Sequence, residues 1–239
     1  MNIFVLTGAG ISAESGLGTF RDRNEGLWTR FDPHKLATPE AFARDPALVH
    51  SFYNLRRQNL LSAEPNAAHR ALARLEQGLA RRGGSLFLCT QNIDDLHERA
   101  GSSRVAHMHG ELLKARCVAC GAVMRWQDDL GTQTACPDCA SVGTMRPHVV
   151  WFGEMPLAMD EILTALLEAE RFVAVGTSGS VYPAAGFVSE AREAGIRTCE
   201  INLEPSDNAR EFDQCRYGPA SEVLPSWVDE LLATPSGPT

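Results

Sequence analysis

The run Met1-Asn2-Ile3-Phe4-Val5-Leu6-Thr7-Gly8-Ala9-Gly10-Ile11-Ser12-Ala13 decides how the whole chain is read. Residues 3–6 are apolar and uncharged, and two glycines follow at once. A short apolar run closed by a turn signal reads as a strand buried on both faces. Gly8 permits a tight turn, Gly10 lets the backbone approach a pyrophosphate, and the small Ala13 allows close helix packing. The next helix would aim its amino-terminal N–H groups at the phosphates. Taken alone, this G-x-G-x-x-A pattern fits a plain structural turn equally well. The acidic residue of the usual dinucleotide fingerprint, some twenty positions on, lacks its setting because no second strand ends there, which counts against a dehydrogenase. The run has no basic residues ahead of its apolar stretch, so it reads as a first strand and not as a signal peptide.

Outward from this strand, short apolar runs alternate with helical stretches. Strands are expected over 3–7, 86–90, 172–175 and 198–202, with a further one over 105–108. Helices are expected over 46–61, 67–81, 159–169, 184–193 and 221–232. That alternation predicts an α/β fold with a parallel sheet covered on both faces. Two regions break the rhythm. Residues 17–39, rich in Gly, Arg, Asp and Pro, read as a long functional loop. Residues 117–139 form a cysteine-bounded insertion.

Composition narrows the function. The 239 residues carry 30 acidic and 22 basic side chains, a formal net charge of −8. Nucleic-acid binding draws most of its affinity from a basic face, so no nucleic-acid partner is expected. No apolar run reaches the length of a membrane span, and no membrane partner is expected. Together with seven cysteines, better suited to metal or free thiols than to disulfides, this leads to an expected cytoplasmic location. A monomer is expected. Residues 234–239 read as a short polar tail.

Cys117-Val118-Ala119-Cys120 and Cys136-Pro137-Asp138-Cys139 stand fifteen residues apart. Two C-x-x-C knuckles at this spacing supply four thiolates to a tetrahedral Zn2+, and four protein ligands leave no open position, so the metal is structural. Cys89, Cys199 and Cys215 read as small apolar residues in or near the core. Thr90-Gln91-Asn92-Ile93-Asp94 sits at a strand's carboxyl end, where open α/β sheets bind ligands; Asn92 or Asp94 could equally cap the next helix. In Ala106-His107-Met108-His109-Gly110, His109 is a candidate general base. Gly176-Thr177-Ser178-Gly179-Ser180 and Asn202-Leu203-Glu204 offer hydroxyl, amide and carboxylate partners to phosphate and ribose, though each could be an ordinary turn.

In this order the clusters closely resemble the sirtuin family. The matching residues also include Thr19-Phe20-Arg21, His109-Gly110 and Val149-Val150-Trp151-Phe152-Gly153-Glu154, and the likeness spans nearly the whole chain as a bare catalytic core of bacterial type. The resemblance implies one catalytic core over 1–239, with a Rossmann-like large domain over about 1–20, 85–110 and 150–239. A helical insertion over about 25–80 and a zinc ribbon over about 115–145 would make a small zinc-binding domain. It also implies NAD as a consumed co-substrate and acylated, lysine-bearing proteins as substrates, both bound in a cleft between the domains. It assigns NAD contacts to Gly8, Ala9, Gly10, Ser12, Phe20, Arg21, Gln91, Asn92, Ile93, Asp94, Gly176, Thr177, Ser178, Asn202, Leu203, Glu204 and Ala220. It assigns substrate contacts to Val150, Phe152, Gly153 and Glu154, by strand addition that reads mainly backbone. The implied reaction begins with attack of the acyl oxygen on C1′ of the nicotinamide ribose. Asn92 and Asp94 hold that end, and His109 is the base on a ribose hydroxyl. Free lysine, nicotinamide and an O-acyl-ADP-ribose leave.

Tyr53 and Arg56 lie three apart on one helix face, and the family members that remove succinyl and malonyl groups resemble this chain in a Tyr-x-x-Arg pair there. A guanidinium forks onto a carboxylate while a phenol adds a hydrogen bond, although such a pair is often only a solvated helix face. Thr19, where many relatives are acidic, fits the same subgroup. The competing functions are ADP-ribosyl transfer to a protein, a non-catalytic NAD-binding zinc module, and a nicotinamide oxidoreductase. The first is distinguished by independence from acyl peptide, the second by having no use for a base, the third by hydride transfer.

Overall fold

The computed structural model describes residues 1–18 and 36–233. Thr19, Phe20, Arg21, most of the expected long loop and the tail at 234–239 lie outside them. A six-stranded sheet runs through β1 (Asn2–Thr7), β2 (Ser85–Thr90), β3 (Val105–His107), β7 (Arg171–Val175), β8 (Arg197–Asn202) and β9 (Gln214–Tyr217). Its order is β3-β2-β1-β7-β8-β9, with every pairing parallel. Three further strands, β4 (Gly110–Cys117), β5 (Val123–Arg125) and β6 (Met145–Val149), form an antiparallel sheet in the order β5-β4-β6. Among the described residues the helices are α1 (Gly10–Ala13), α2 (Pro39–Arg44), α3 (Pro46–Ser62), α4 (Ala67–Ala80), α5 (Leu96–Arg99), α6 (Met159–Leu167), α7 (Phe187–Glu193) and α8 (Ala220–Ala233).

Both faces of the large sheet are apolar, as the unbroken runs of β1, β2 and β7 require. Ile3 and Val5 point into one core with Leu72, Leu75 and Leu79 of α4 and Leu224, Trp227 and Val228 of α8. Phe4 and Leu6 point into the other, with Ile162 and Leu166 of α6 and Phe187 and Val188 of α7. A third cluster joins α3, through Val49, Phe52, Tyr53 and Leu60, to Leu112, Leu113, Val149 and Trp151. A fourth, smaller one holds Cys117, Cys136, Ala115, Leu130 and Met145 around the small sheet.

Local chemistry fixes the helix starts. Thr38 accepts from the Ala41 N–H ahead of Pro39, and Asp45 from the Leu48 N–H ahead of Pro46. Such caps satisfy amides that no intrahelical carbonyl can reach, and proline suits the first helical position. Asn66 caps α4, and His69 three residues on accepts from the Asn66 N–H in return. The start expected at 184 is a 3-10 turn, Ala184–Gly186, leading into α7. The helix after the glycine turn is only one turn long, so its dipole and free amides are far smaller than the expected phosphate-facing helix would supply.

Candidate active site

The sheet order locates the crevice. The chain steps outward from β1 to β2 and β3, then returns to the other side of β1 with β7, β8 and β9. A parallel sheet whose winding reverses opens a crevice beyond the strand ends at the reversal, here between β1 and β7. Gly8 and Gly10 follow β1, and Gly176 follows β7. The two turns are stitched together: Gly8 N–H donates to Val175 O at 3.0 Å, and Gly10 N–H to Gly176 O at 2.9 Å. A Cβ on Gly8 would stand 2.7 Å from Gly176 O, and one on Gly10 would stand 2.7 Å from Gly176 Cα. These glycines therefore let two strand ends touch, besides leaving backbone bare for a ligand.

Behind the turns lies a buried polar network. Ser12 Oγ donates to Asp94 Oδ2 at 3.0 Å and accepts from Asn92 Nδ2 at 3.1 Å. Because His69 Nδ1 accepts from Asn66 N–H, its Nε2 carries the proton and faces Ser12 Oγ at 3.3 Å. Asn92 Nδ2 also donates to Gly8 O at 3.1 Å, tying the strand-end segment to the glycine turn. At the start of α5, Asp94 Oδ1 accepts from Leu96 N–H at 3.2 Å, as a capping role requires, while Oδ2 accepts from Ser12 Oγ. Burial pushes the Asp94 carboxyl up, while burial pulls His69 down to about 4 and keeps it neutral. Deeper still, Thr7 Oγ1 donates to Thr90 Oγ1 at 2.8 Å and lies 3.0 Å from His97 Nε2.

The two histidines at the end of β3 and just beyond it, His107 and His109, are driven in opposite directions. His107 is drawn down by burial, but its 2.7 Å contact with Glu98 outweighs that and raises it; its Nδ1 faces Asn92 O at 3.3 Å. His109 is lowered by burial, only partly offset by its bond to Gln91. His109 Nδ1 lies 2.9 Å from the Gln91 carbonyl oxygen, which can only accept, so Nδ1 bears the proton and Nε2 is the basic nitrogen. Nε2 has no partner among the described residues. Gly110, at φ 79°, must be glycine, since a Cβ would stand 2.2 Å from His148 O.

Farther along the sheet edge, Asn202 Nδ2 donates to Thr177 O at 2.8 Å, joining the turns after β7 and β8. Leu203 and Glu204 are exposed, Ser178 is half-buried, and Ala220 is buried at the start of α8. The first amides of α8 are not all open: Ser221 N–H donates to Glu14 Oε2 at 2.9 Å. Beneath Asn202 lies a carboxylate the sequence reading missed, Glu200, with no solvent exposure. It accepts from Ser206 N–H at 3.1 Å and Tyr217 OH at 3.1 Å.

On the α3 side, Tyr53 is buried and Arg56 half-buried, with the Arg56 guanidinium carbon 5.9 Å from the Tyr53 ring. Burial lowers Arg56, and the charges of Tyr53 and Asp94 work against that. The segment between β6 and α6 uses much of its own backbone: Val150 N–H donates to His109 O, Phe152 N–H to Ala37 O and Glu154 N–H to Trp151 O. Exposed Gly153, at φ 89°, makes no backbone hydrogen bond among the described residues. The Glu154 carboxylate is taken up by Arg146 at 2.7 and 3.0 Å, Arg116 at 3.0 Å and Trp151 N–H at 2.8 Å. A contribution of Glu154 to substrate binding would therefore run through its backbone.

The sulfurs of Cys117, Cys120, Cys136 and Cys139 all lie within 4.8 Å of one another, with Cys117–Cys139 and Cys120–Cys136 at 3.8 Å. A zinc tetrahedron with bonds of about 2.3 Å has edges of about 3.8 Å, so the tetrad could hold a structural zinc. Of the other cysteines, Cys89 and Cys199 are buried as expected, and burial pushes Cys199 up to about 11. Cys215 is exposed on β9, the outermost strand, and is not a core residue. Among the described residues, no helix is long and apolar enough to cross a membrane.

Comparison with known proteins agrees with this geometry. A profile of the Sir2 family matches residues 8–183. The chain is 65% identical over 233 residues to an NAD-dependent protein deacylase of Caulobacter vibrioides, covering 98% of each. It is 56% identical over 232 residues to an NAD-dependent protein deacylase of Salmonella typhimurium, covering 96% of this chain and 84% of that one. The crystal structure of a Sir2 homolog–NAD complex matches 97% of this chain and 90% of its own, at 39% identity and a TM-score of 0.86. With its glycine-stitched switch point, its strand-end Asn–Asp–His set and its cysteine tetrad, the chain belongs to the Sir2 family.

Proposed function

We propose that this chain is an NAD-dependent protein deacylase that takes acyl groups from lysine side chains, acidic acyl groups among them. The observation that carries the proposal is His109, a neutral imidazole with Nδ1–H fixed on Gln91 O and Nε2 open, at the strand ends that bear the glycine turns. A binding module has no use for a base so prepared.

When bound, NAD supplies an electrophilic ribose carbon with nicotinamide as its leaving group. The residues of the chain do the rest. The turn of Gly8, Ala9 and Gly10, its Gly8 and Gly10 amides already spent on the β7 turn, receives the phosphates by close backbone approach, with buried Ser12 beneath it and the turn of Gly176, Thr177 and Ser178 opposite. Asn202, Leu203, Glu204 and Ala220 border the adenosine end. Gln91, Asn92, Ile93 and Asp94 hold the nicotinamide end, with Ser12 and His69 keeping Asn92 and Asp94 in place. His109 Nε2 takes the proton of a ribose hydroxyl. Val150, Phe152, Gly153 and Glu154 pair with the backbone of the substrate. Phe20 and Arg21 complete the cofactor side.

The acidic-acyl part rests on Tyr53 and Arg56. Burial lowers Arg56, but arginine stays charged at physiological pH and can fork onto a terminal carboxylate. Burial also raises Tyr53, keeping it a neutral donor. The large sheet and the small sheet with α2 and α3 serve as two domains flanking the cleft, in a monomer that acts on proteins in the cytoplasm.

The test is NAD-dependent deacylation of one peptide carrying acetyl-lysine or succinyl-lysine, by wild type, His109→Ala and Arg56→Met. The expected result is turnover only with NAD, its collapse in His109→Ala, and a drop in the succinyl-to-acetyl ratio of kcat/KM in Arg56→Met. Absence of NAD-dependent turnover in zinc-loaded, NAD-binding protein would sink the proposal. An unchanged ratio in Arg56→Met would remove its acidic-acyl part.

A further inference from the structure

One indole in this cleft has no role in the mechanism above. Trp151 is 2% exposed and is held from two sides. On one face the Arg146 guanidinium carbon lies 3.2 Å from the ring centroid. Arg146 is itself fixed, donating to Glu154 Oε1 at 2.7 Å, to Glu154 Oε2 at 3.0 Å and to Val149 O at 2.9 Å. Glu154 closes the circuit by accepting the Trp151 backbone N–H at 2.8 Å. The plane of the indole is thus set by a partly buried ion pair and by its own loop, independently of α3.

At its other end, Trp151 Nε1–H donates to the hydroxyl oxygen of Tyr53 at 2.9 Å. A phenol has one proton to give and lone pairs to receive with. With a lone pair occupied by the indole, the O–H is turned away from Trp151, and it has no acceptor among the described residues. The pattern is a donor chain from indole to phenol that ends in an unspent proton, on a ring whose centroid lies 5.9 Å from the Arg56 guanidinium carbon. Filling the core volume next to Tyr53 would need only an aromatic ring; the N–H is an added feature.

We infer that Trp151 is a specificity-determining positioning residue: its indole N–H presets the Tyr53 hydroxyl as a donor to the carboxylate of an acidic acyl group held by Arg56. The inference rests on the acidic-acyl part of the proposed function. Trp151 acts through Tyr53 and does not itself touch the acyl group.

The experiment compares wild type, Arg56→Met, Trp151→Phe, Tyr53→Phe and the Trp151→Phe/Tyr53→Phe double variant on acetyl- and succinyl-lysine peptides. Thermal unfolding and KM for NAD are measured alongside. Trp151→Phe keeps the ring and removes the donor. One oriented hydrogen bond corresponds to a change of about five- to ten-fold, so KM for the succinyl peptide should rise by about that factor relative to KM for the acetyl peptide. In the Tyr53→Phe background, Trp151→Phe should then change the ratio by less than about two-fold, because residues acting as one unit are not additive. A purely structural role predicts equal losses on both peptides, the same in either background, and that result overturns the inference. So does an unchanged ratio in Trp151→Phe while Arg56→Met remains selective, which leaves the acidic-acyl part standing. If wild type spares the succinyl peptide, or Arg56→Met shows no selectivity, both fall together.

Discussion

The Nδ1 atom of His109 lies 2.9 Å from the carbonyl oxygen of Gln91, so the strand-end segment bordering the glycine turn also fixes the tautomer of the base. Burial then lowers the imidazole below its ordinary value of 6.5. The active form is the neutral one, present above the folded-state pKa and lost as pH falls through it. The acid limb of kcat/KM should therefore have its midpoint below 6.5, and His109→Ala should lower kcat by roughly 10²- to 10⁴-fold with NAD binding retained. A pH profile of wild-type kcat/KM with its acid limb at or above 6.5 would contradict the lowered base.

The contact between Gly10 and Gly176 should be as intolerant as the geometry says. In Gly10→Ala the new Cβ stands 2.7 Å from Gly176 Cα, a backbone atom that cannot step aside. Overpacking of this kind costs about 1–3 kcal/mol or more, and here it also pries apart the two turns proposed to hold NAD. Gly16→Ala is the control: φ is 83°, but nothing among the described residues lies within 4 Å of its Cβ, leaving left-handed strain of about 1–2 kcal/mol. Gly10→Ala should raise KM for NAD at least several-fold, while Gly16→Ala lowers the unfolding midpoint alone. Equal NAD kinetics in the two variants would refute the role of the glycine contact.

Zinc removal should act on the small sheet. Cys117 ends β4 and pairs with Met145 of β6, whose next residue, Arg146, braces Glu154 and Trp151. Cys136→Ser should lower bound zinc, measured by atomic absorption, well below one per chain, and should lower the thermal midpoint, since structural zinc contributes directly to folding. Cys215→Ser should keep zinc and stability near wild type, because Cys215 is exposed on the outermost strand. Full zinc content in Cys136→Ser would rule out the four-cysteine site.

The physical reach of each signal separates what the sequence displays from what it hides. β1, β2, β7 and β8 are local apolar runs, and the observed bounds fall within about a residue of those expected. The cysteine knuckles are also local, with ligand spacing set by the metal. β9, in contrast, is Gln214-Cys215-Arg216-Tyr217, a mostly exposed last strand with no apolar run. β4 and β6 become a sheet only by pairing with each other across the cysteine insertion. The Ser12–His69–Asp94 network and the Trp151–Tyr53 bond join residues 57 to 98 positions apart, and no periodicity reports them. Two faint cues existed: Asn66 and His69 at capping-box spacing, and Glu200, a charge in the interior of β8, where the neighbouring residues Thr198, Cys199 and Ile201 are uncharged.

Glu200 supplies the last prediction. A fully buried carboxylate is tolerated only when its lone pairs are filled. Here they receive Ser206 N–H, Tyr217 OH and, at 3.4 Å, Asn202 Nδ2, which also reaches Thr177 O. Glu200 thereby ties β9 and the Ser206 turn to Asn202, at the edge proposed to border adenosine. Glu200→Ala would strand those donors and should destabilise the fold by at least about 2 kcal/mol. Glu200→Gln keeps the shape and one acceptor oxygen, so it should fold with a smaller loss yet raise KM for NAD several-fold at nearly constant kcat. A Glu200→Gln enzyme with wild-type KM for NAD would mean that Asn202 holds its place without this carboxylate, or that the adenosine end binds elsewhere. A direct NAD-binding measurement on Asn202→Ala separates those two outcomes.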